Sequence, residues 1–192
     1  MRILIVDNGT KSLQNLFLAL QGHQVTARRF EDYDVDSPPN TQTTDLVILS
    51  GGSQYPIVHN EVRFARETEL IRESPIPILG ICFGAELIAY AFGSELKETG
   101  SRVHGPVTLT RLLPEDPLFA SNPPLQVFES HTWSITTMGP ELVGLARSEF
   151  GYEIFRHRTL PRYGFQFHPE ARFHTNGGTE LLENALRVLK QK

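Results

Sequence analysis

Cys82 is the chain's one cysteine, and it stands in Gly80-Ile81-Cys82-Phe83-Gly84, a G-x-C-x-G segment. A thiol with a glycine two positions to either side suits a sharp turn from a buried strand into a helix, the sulfur counterpart of the G-x-S-x-G nucleophile elbow. Such a turn is strained and presses neighbouring backbone against the nucleophile, so side chains at 80 and 84 would clash. The helix that follows aims its positive end at the sulfur, which favours the thiolate. The amide of Phe83 can face a carbonyl oxygen as an oxyanion donor. A lone cysteine also reads as a small buried hydrophobe, so the elbow needs partners.

Phe165-Gln166-Phe167-His168-Pro169-Glu170 offers them. An imidazole titrating near neutrality can take a thiol proton and return it to a leaving group. Glu170, two residues on across the stiff Pro169, can hold the imidazole's tautomer and orientation. The alternative is a capping histidine beside a surface glutamate. A third piece, Ser50-Gly51-Gly52-Ser53, has two adjacent glycines that let backbone amides approach a ligand closely. It can supply a second oxyanion donor, or be an ordinary tight turn.

These pieces need a scaffold that brings distant residues to one place. Ile3-Leu4-Ile5-Val6, Leu46-Val47-Ile48-Leu49 and Ile76 to Ile81 are short apolar runs, as expected of strands buried on both faces. Ser12 to Leu20, Asn60 to Glu73 and Phe83 to Phe92 carry helical apolar spacing, and Gln24 to Phe30 reads as a further strand. The alternation predicts a mostly parallel, open α/β sheet with helices on both faces. The second half differs: 107–112, 125–129, 142–147, 152–155 and 163–167 are short strand candidates without long helices between them. They predict a small mixed or antiparallel sheet. A polar, Pro-rich connection is expected over 34–44, and a last amphipathic helix over 178–190. With no repeat or long linker, residues 1–192 are expected to form a single domain.

Composition narrows the function classes. Hydrophobic residues are 40% of the chain, enough for a real core, and charged residues 21%, which argues against disorder. The formal net charge of −4 and the short basic spots, Arg28–Arg29 and Arg156–Arg158, give no nucleic-acid footprint. No window reaches the length of a membrane span, no secretory signal is evident, and a lone thiol suits a reducing compartment. The expectation is a soluble cytoplasmic protein. No Walker-type loop or dinucleotide fingerprint is present, so no cofactor is expected. His168, Glu170 and His174 do not have a recognised zinc spacing, so no metal is expected either. Ser50-Gly51-Gly52 touches the phosphate loop of ATP pyrophosphatases, but the metal-binding acid is missing.

Together SGG at 50–52, PILGICFGAELIAYAFG at 77–93 and GFQFHPE at 164–170 resemble the class I, or triad, glutamine amidotransferases, in order and approximate spacing and over essentially the whole chain. The resemblance implies a flavodoxin-like α/β fold and a Cys-His-Glu triad of Cys82, His168 and Glu170. It implies a γ-glutamyl thioester on Cys82, and an oxyanion hole from Gly52 and Phe83. It places substrate contacts at Gly51, Glu86, Ser130, His131 and Thr132. Ser130-His131-Thr132-Trp133 most resembles the SHGD-type segment of GMP synthetases, with Thr132-Trp133 in place of Gly-Asp. Glu86 stands where the family usually has glutamine, and Ser53 where proline is frequent. In length and in its cysteine helix the chain most resembles a separate glutaminase subunit of a GMP synthetase, an enzyme of purine biosynthesis. That implies glutamine as substrate and, as partner, an ATP-dependent synthetase subunit. Glu86 and Trp133 keep open a stand-alone γ-glutamyl hydrolase or peptidase on the same fold. A non-catalytic regulatory module is the remaining alternative.

Overall fold

The structure is a computed structural model that describes residues 1–32, 39–52, 54–171 and 177–190. Ser53, His174 and the first part of the 34–44 connection lie outside these residues. In chain order the elements are β1 (Arg2–Asp7), α1 (Leu13–Ala19), β2 (Gln24–Arg29), β3 (Leu46–Leu49), α2 (Ala65–Glu73), β4 (Ile78–Ile81), α3 (Phe83–Ala91) and β5 (Glu95–Thr108). Then come β6 (Thr110–Arg111), β7 (Gln126–Thr137), β8 (Leu142–Arg147), β9 (Tyr152–His157), β10 (Arg162–Phe165) and α4 (Gly178–Lys190). The expected helix over 60–73 begins as a 3₁₀ turn, Glu61–Phe64, before α2.

All ten strands join one sheet, in the order β2-β1-β3-β4-β10-β9-β7-β5, with β8 on β9 and β6 on β8. Pairings from β2 through β10 are parallel, and those beyond β10 are antiparallel. The antiparallel strands therefore continue the parallel sheet through the β10–β9 pair. Alternation along the parallel strands fills two cores. Ile3, Ile5, Leu46, Ile48, Leu79 and Ile81 pack with Leu16, Leu20, Leu181 and Leu182 of the α1 and α4 regions. Val6, Val47, Leu49 and Ile78 pack with Leu70 and Ile71 of α2 and Leu87 and Ile88 of α3. Continuous apolar runs are the sequence form of strands that feed both faces. Helix α3 is buried nearly all round, Tyr90 alone being partly open.

Two elements depart from the sequence expectation. The expected 107–112 strand is split between the end of β5 and β6, β5 reaches back unexpectedly to Glu95, and β7 runs well beyond the expected 125–129, to Thr137. Most of β5 is exposed or half-buried, so its sequence carries little apolar alternation; its strand form comes from pairing with β7 along most of its length.

Candidate active site

The strand order reverses between β2-β1 and β1-β3, and open α/β sheets bind ligands beyond the carboxyl ends of strands at such a point. The turns after β1 and β3, the end of β4 and the end of β10 all meet there. Asn8 donates its amide to Ser50 Oγ at 2.9 Å, tying the first two turns together. The Cys82 amide donates to the Phe165 carbonyl at 2.7 Å, tying the β4 end to β10.

Cys82 has φ +50° and ψ −109°, the left-handed side of the map, where a non-glycine residue is strained and held by its surroundings. A Cβ at position 80 would sit 2.4 Å from the Gly84 carbonyl oxygen, and one at position 84 would sit 2.2 Å from the Leu49 carbonyl oxygen. Both glycines are thus demanded by close backbone approach, as expected of the elbow. Phe83 opens α3, so its amide is one of the four N–H groups a helix leaves without an intrahelical partner.

His168 and Glu170 are brought together: Nδ1 lies 2.8 Å from Glu170 Oε1. Only a proton on Nδ1 can make that hydrogen bond to a carboxylate, which leaves Nε2 for the Cys82 side chain, the other hydrogen-bond partner of the ring. Glu170 is 5% exposed, so it is no surface glutamate. Gly51 sits against the pair, and a Cβ there would meet His168 Cε1 at 3.2 Å and Cys82 Cβ at 3.6 Å. A Cβ on Gly52 would fall 2.2 Å from the Asn8 carbonyl oxygen, so this loop position also requires glycine.

The electrostatics follow from burial and pairing. Burial opposes protonation of His168, but the Cys82 sulfur and Glu170 outweigh it and raise the imidazole to about 11. Burial pushes the Cys82 thiol up, His168 pulls it down, and Glu86 and Glu129 push it up again. Burial therefore opposes the effect expected from the α3 N-terminus.

A cavity of about 280 Å³ opens beside the sulfur, lined by Gly52, Cys82, Phe83, Glu86, Ser130, His131, Thr132 and Trp133. Gly51, Gly52 and Phe83 thus sit around the sulfur, and four of the expected substrate residues line its cleft. Ser130 presents its carbonyl 4.0 Å from Cys82 Sγ. Glu86 is buried and accepts a hydrogen bond from Gln166 Nε2 at 2.9 Å. Burial raises it to about 7, with Gln166, His131 and His168 pulling the other way. His131 is buried, its Nδ1 2.7 Å from the Trp133 carbonyl oxygen.

Sequence reasoning missed other residues on this cleft. Lys11, Tyr55 and Arg102 also line it, and Arg102 donates to Ser130 Oγ at 2.5 Å. Lys11 could have been found from its place in the turn after the first strand. Arg102 could not, because the part of β5 that carries it was unread. A buried cluster of Glu129, His131 and Glu153 was likewise invisible, since isolated polar residues in strands read as a solvated face.

An open α/β sheet with a thiol elbow beside a histidine–carboxylate pair agrees with the family comparison. The glutamine amidotransferase class-I family matches residues 4–189, and the chain belongs to it. More particularly, it is 33% identical over 188 residues to a subunit of the glutamine-hydrolyzing GMP synthase of Pyrococcus abyssi, covering 97% of each chain. It is 35% identical over 189 residues to the aminodeoxychorismate synthase of Streptomyces griseus, of which it spans 25%. Among solved structures, a Thermoplasma acidophilum protein assigned as a GMP synthase subunit superposes with a TM-score of 0.83 at 27% identity, over 98% of this chain and 94% of that one. A Thermotoga maritima glutamine amidotransferase shares the fold, with a TM-score of 0.78 at 18% identity over 100% and 99%. Among the described residues no helix is long and apolar enough to cross a membrane.

Proposed function

We propose that this chain, as one glutaminase domain, hydrolyses the side-chain amide of glutamine and delivers the ammonia to a separate ATP-dependent synthetase subunit. The observation that carries the reading is the placement of Cys82, in a strained elbow, beside a histidine whose far nitrogen is held by Glu170 at 2.8 Å. Cys82 Sγ attacks the amide carbon as the thiolate, its proton held on His168 Nε2. The amides of Gly52 and Phe83 hold the oxyanion. Collapse of the tetrahedral species breaks the C–N bond, and His168 returns the proton to the departing ammonia. Water, deprotonated by the same imidazole, then cleaves the γ-glutamyl thioester to glutamate and restores the thiol. Glutamine and water go in; glutamate and ammonia come out.

The similarity to free-standing GMP synthase subunits over nearly their full length supports GMP synthesis as the destination of the ammonia. The test is ammonia and glutamate release from glutamine, with and without an ATP-pyrophosphatase subunit. Cys82→Ser should abolish both products; a variant as active as the wild type refutes the thiol mechanism. The buried carboxyl of Glu86 and the ring of Trp133 on the cleft wall favour a second reading, a stand-alone γ-glutamyl hydrolase. Fast hydrolysis of γ-glutamyl peptides with little of glutamine would select it.

A further inference from the structure

The mechanism above leaves one buried polar cluster unused. Glu129 and His131 on β7 and Glu153 on β9 are 0%, 4% and 1% exposed. Ionised groups in such a place are costly unless paired, and here the partners form a chain. Ser148 Oγ donates to Glu153 Oε1 at 2.5 Å. Side-chain atoms of Glu129, His131 and Glu153 lie within 4.8 Å of one another. Two buried carboxyls so close do not both ionise, and burial first, then the charge of Glu129, push Glu153 well up. Glu129 Oε2 lies 3.2 Å from His131 Nε2, within ion-pair reach. The far side of that ring donates Nδ1–H to the Trp133 carbonyl at 2.7 Å, because a carbonyl oxygen only accepts.

The chain ends where the sheet ladder fails. β5 and β7 pair His131 with Val103 and Trp133 with Glu98, so residues 99–102 bulge opposite Thr132 alone. Side chains take over there: the Thr99 hydroxyl lies between the carbonyls of Ser101, at 2.6 Å, and Thr132, at 3.0 Å, and the His131 ring serves Trp133. This stretch is the cleft wall beside Cys82. A strand with a broken ladder has a loosely specified course unless something else fixes it.

We propose that the Glu129–Glu153 pair, acting through His131, is a positioning device that fixes the 130–133 segment for the amino-acid end of the substrate, an inference that rests on the glutamine-hydrolysis reading above. Glu129 and Glu153 touch no substrate. Their effect falls on recognition of the γ-glutamyl group; the charge of Glu129 pushes the Cys82 thiol up, so removing it does not slow the thiol itself. Two carboxylates and an imidazole could also hold a divalent cation, and metal analysis of the purified protein separates that reading from this one.

The experiment compares two alkylating agents on the full chain: a diazoketone analogue of glutamine, which needs the substrate pocket, and iodoacetamide, which needs only the thiol. Glu129→Ala should slow Cys82 labelling by the analogue by about 10- to 100-fold, the scale of a misplaced substrate-positioning group, with iodoacetamide labelling not slowed, since loss of the Glu129 charge lowers the thiol. Glu129→Gln, whose amide keeps a hydrogen-bonding partner for His131 Nε2, should restore most of the rate. His131→Phe, which keeps a ring but no nitrogen, serves as a second probe if Glu129→Ala does not fold, and should show the same selective loss. Equal slowing of both reagents, or no slowing in either folded variant, overturns the inference, as does stoichiometric metal in the purified wild type. A wild type that the glutamine analogue leaves unlabelled while iodoacetamide labels it refutes the glutaminase reading and takes the inference with it.

Discussion

Replacing Glu170 by glutamine isolates the charge behind the imidazole. Glutamine keeps the volume, and its amide oxygen can still accept from His168 Nδ1, now 2.8 Å from a carboxylate oxygen. What is lost is charge assistance. A hydrogen bond to a charged group contributes about 1.5–3 kcal/mol and a neutral one about 0.5–1.5 kcal/mol, so the loss is about 1–1.5 kcal/mol. The imidazolium paired with the Cys82 thiolate feels that loss in full. At 1.36 kcal/mol per decade this is roughly a 5- to 13-fold fall in kcat/KM for glutamine hydrolysis. Glu170 also helps to raise His168, so the variant's imidazolium should lose its proton at lower pH, and the alkaline limb of the rate profile should move down. Ammonia release measured across pH checks both effects, with thermal unfolding as the control for folding. A folded Glu170→Gln variant with unchanged kcat/KM and an unmoved alkaline limb would refute the assignment of Glu170 as the orienting charge.

Gly84→Ala should cost stability and activity together, because its Cβ meets the Leu49 carbonyl oxygen at 2.2 Å, where backbone must move; a melting temperature equal to wild type would contradict this. Gly51→Ala should separate the two, since its Cβ reaches His168 Cε1 at 3.2 Å and displaces only the catalytic pair; the expected result is slower ammonia release with a near-normal melting temperature. Glu67 of α2 is buried, and burial raises it to about 7 against a smaller pull from Asn8. A carboxyl raised in the folded state contributes stability that is fully present below its unfolded pKa and lost as pH rises through the folded value. Glu67→Gln should therefore melt higher than wild type at pH 8, by up to about 3 kcal/mol of stability, and alike at pH 4, a contrast that melting curves at the two pH values would check. Arg162 is fully buried and donates to the carbonyls of Ile71, Ser74 and Ile76; Arg162→Met should lower stability by about 3 kcal/mol or more in denaturant titration, since these acceptors lose charged donors.

The parallel half of the molecule was legible because its signals are local. A strand fed from both faces must be apolar throughout, and Ile3 to Val6 or Leu46 to Leu49 admit few other readings. The elbow was legible for a related reason: Gly80 and Gly84 record close backbone approach in residue type, at a spacing short enough to read. His168 and Glu170 lie two residues apart, so their contact is also nearly local. The antiparallel half offers no such signal. β5 owes its course to its pairing with β7, and a mostly exposed strand with few apolar side chains has no period to read. Glu129 and Glu153 lie on different strands that share one paired position, Ile135 with Tyr152. Nothing in the sequence near either glutamate announces the other.

That division has a chemical consequence. The groups proposed to react stand on the parallel half, at the ends of β3, β4 and β10, where backbone approach is tightest. The cleft wall at Ser130 to Trp133 belongs to the antiparallel half, where β5 bulges away and side chains replace ladder hydrogen bonds. The two halves meet through β10 and β9, and there Gln166 links both: its amide donates to the Glu153 carbonyl at 2.8 Å, and its side chain donates to Glu86 at 2.9 Å. Gln166 lies two residues before His168 and so couples the base to the cluster behind the cleft wall. A thiol placed rigidly on one half and a substrate wall held by polar chains on the other allow the chemistry to stay fixed while recognition changes. Substitutions at Glu86, Thr132 or Trp133 should therefore alter which γ-glutamyl compound is taken without disabling Cys82. Competition between glutamine and γ-glutamyl peptides in such variants measures this, and a parallel loss of every substrate would show that the two halves do not act separately.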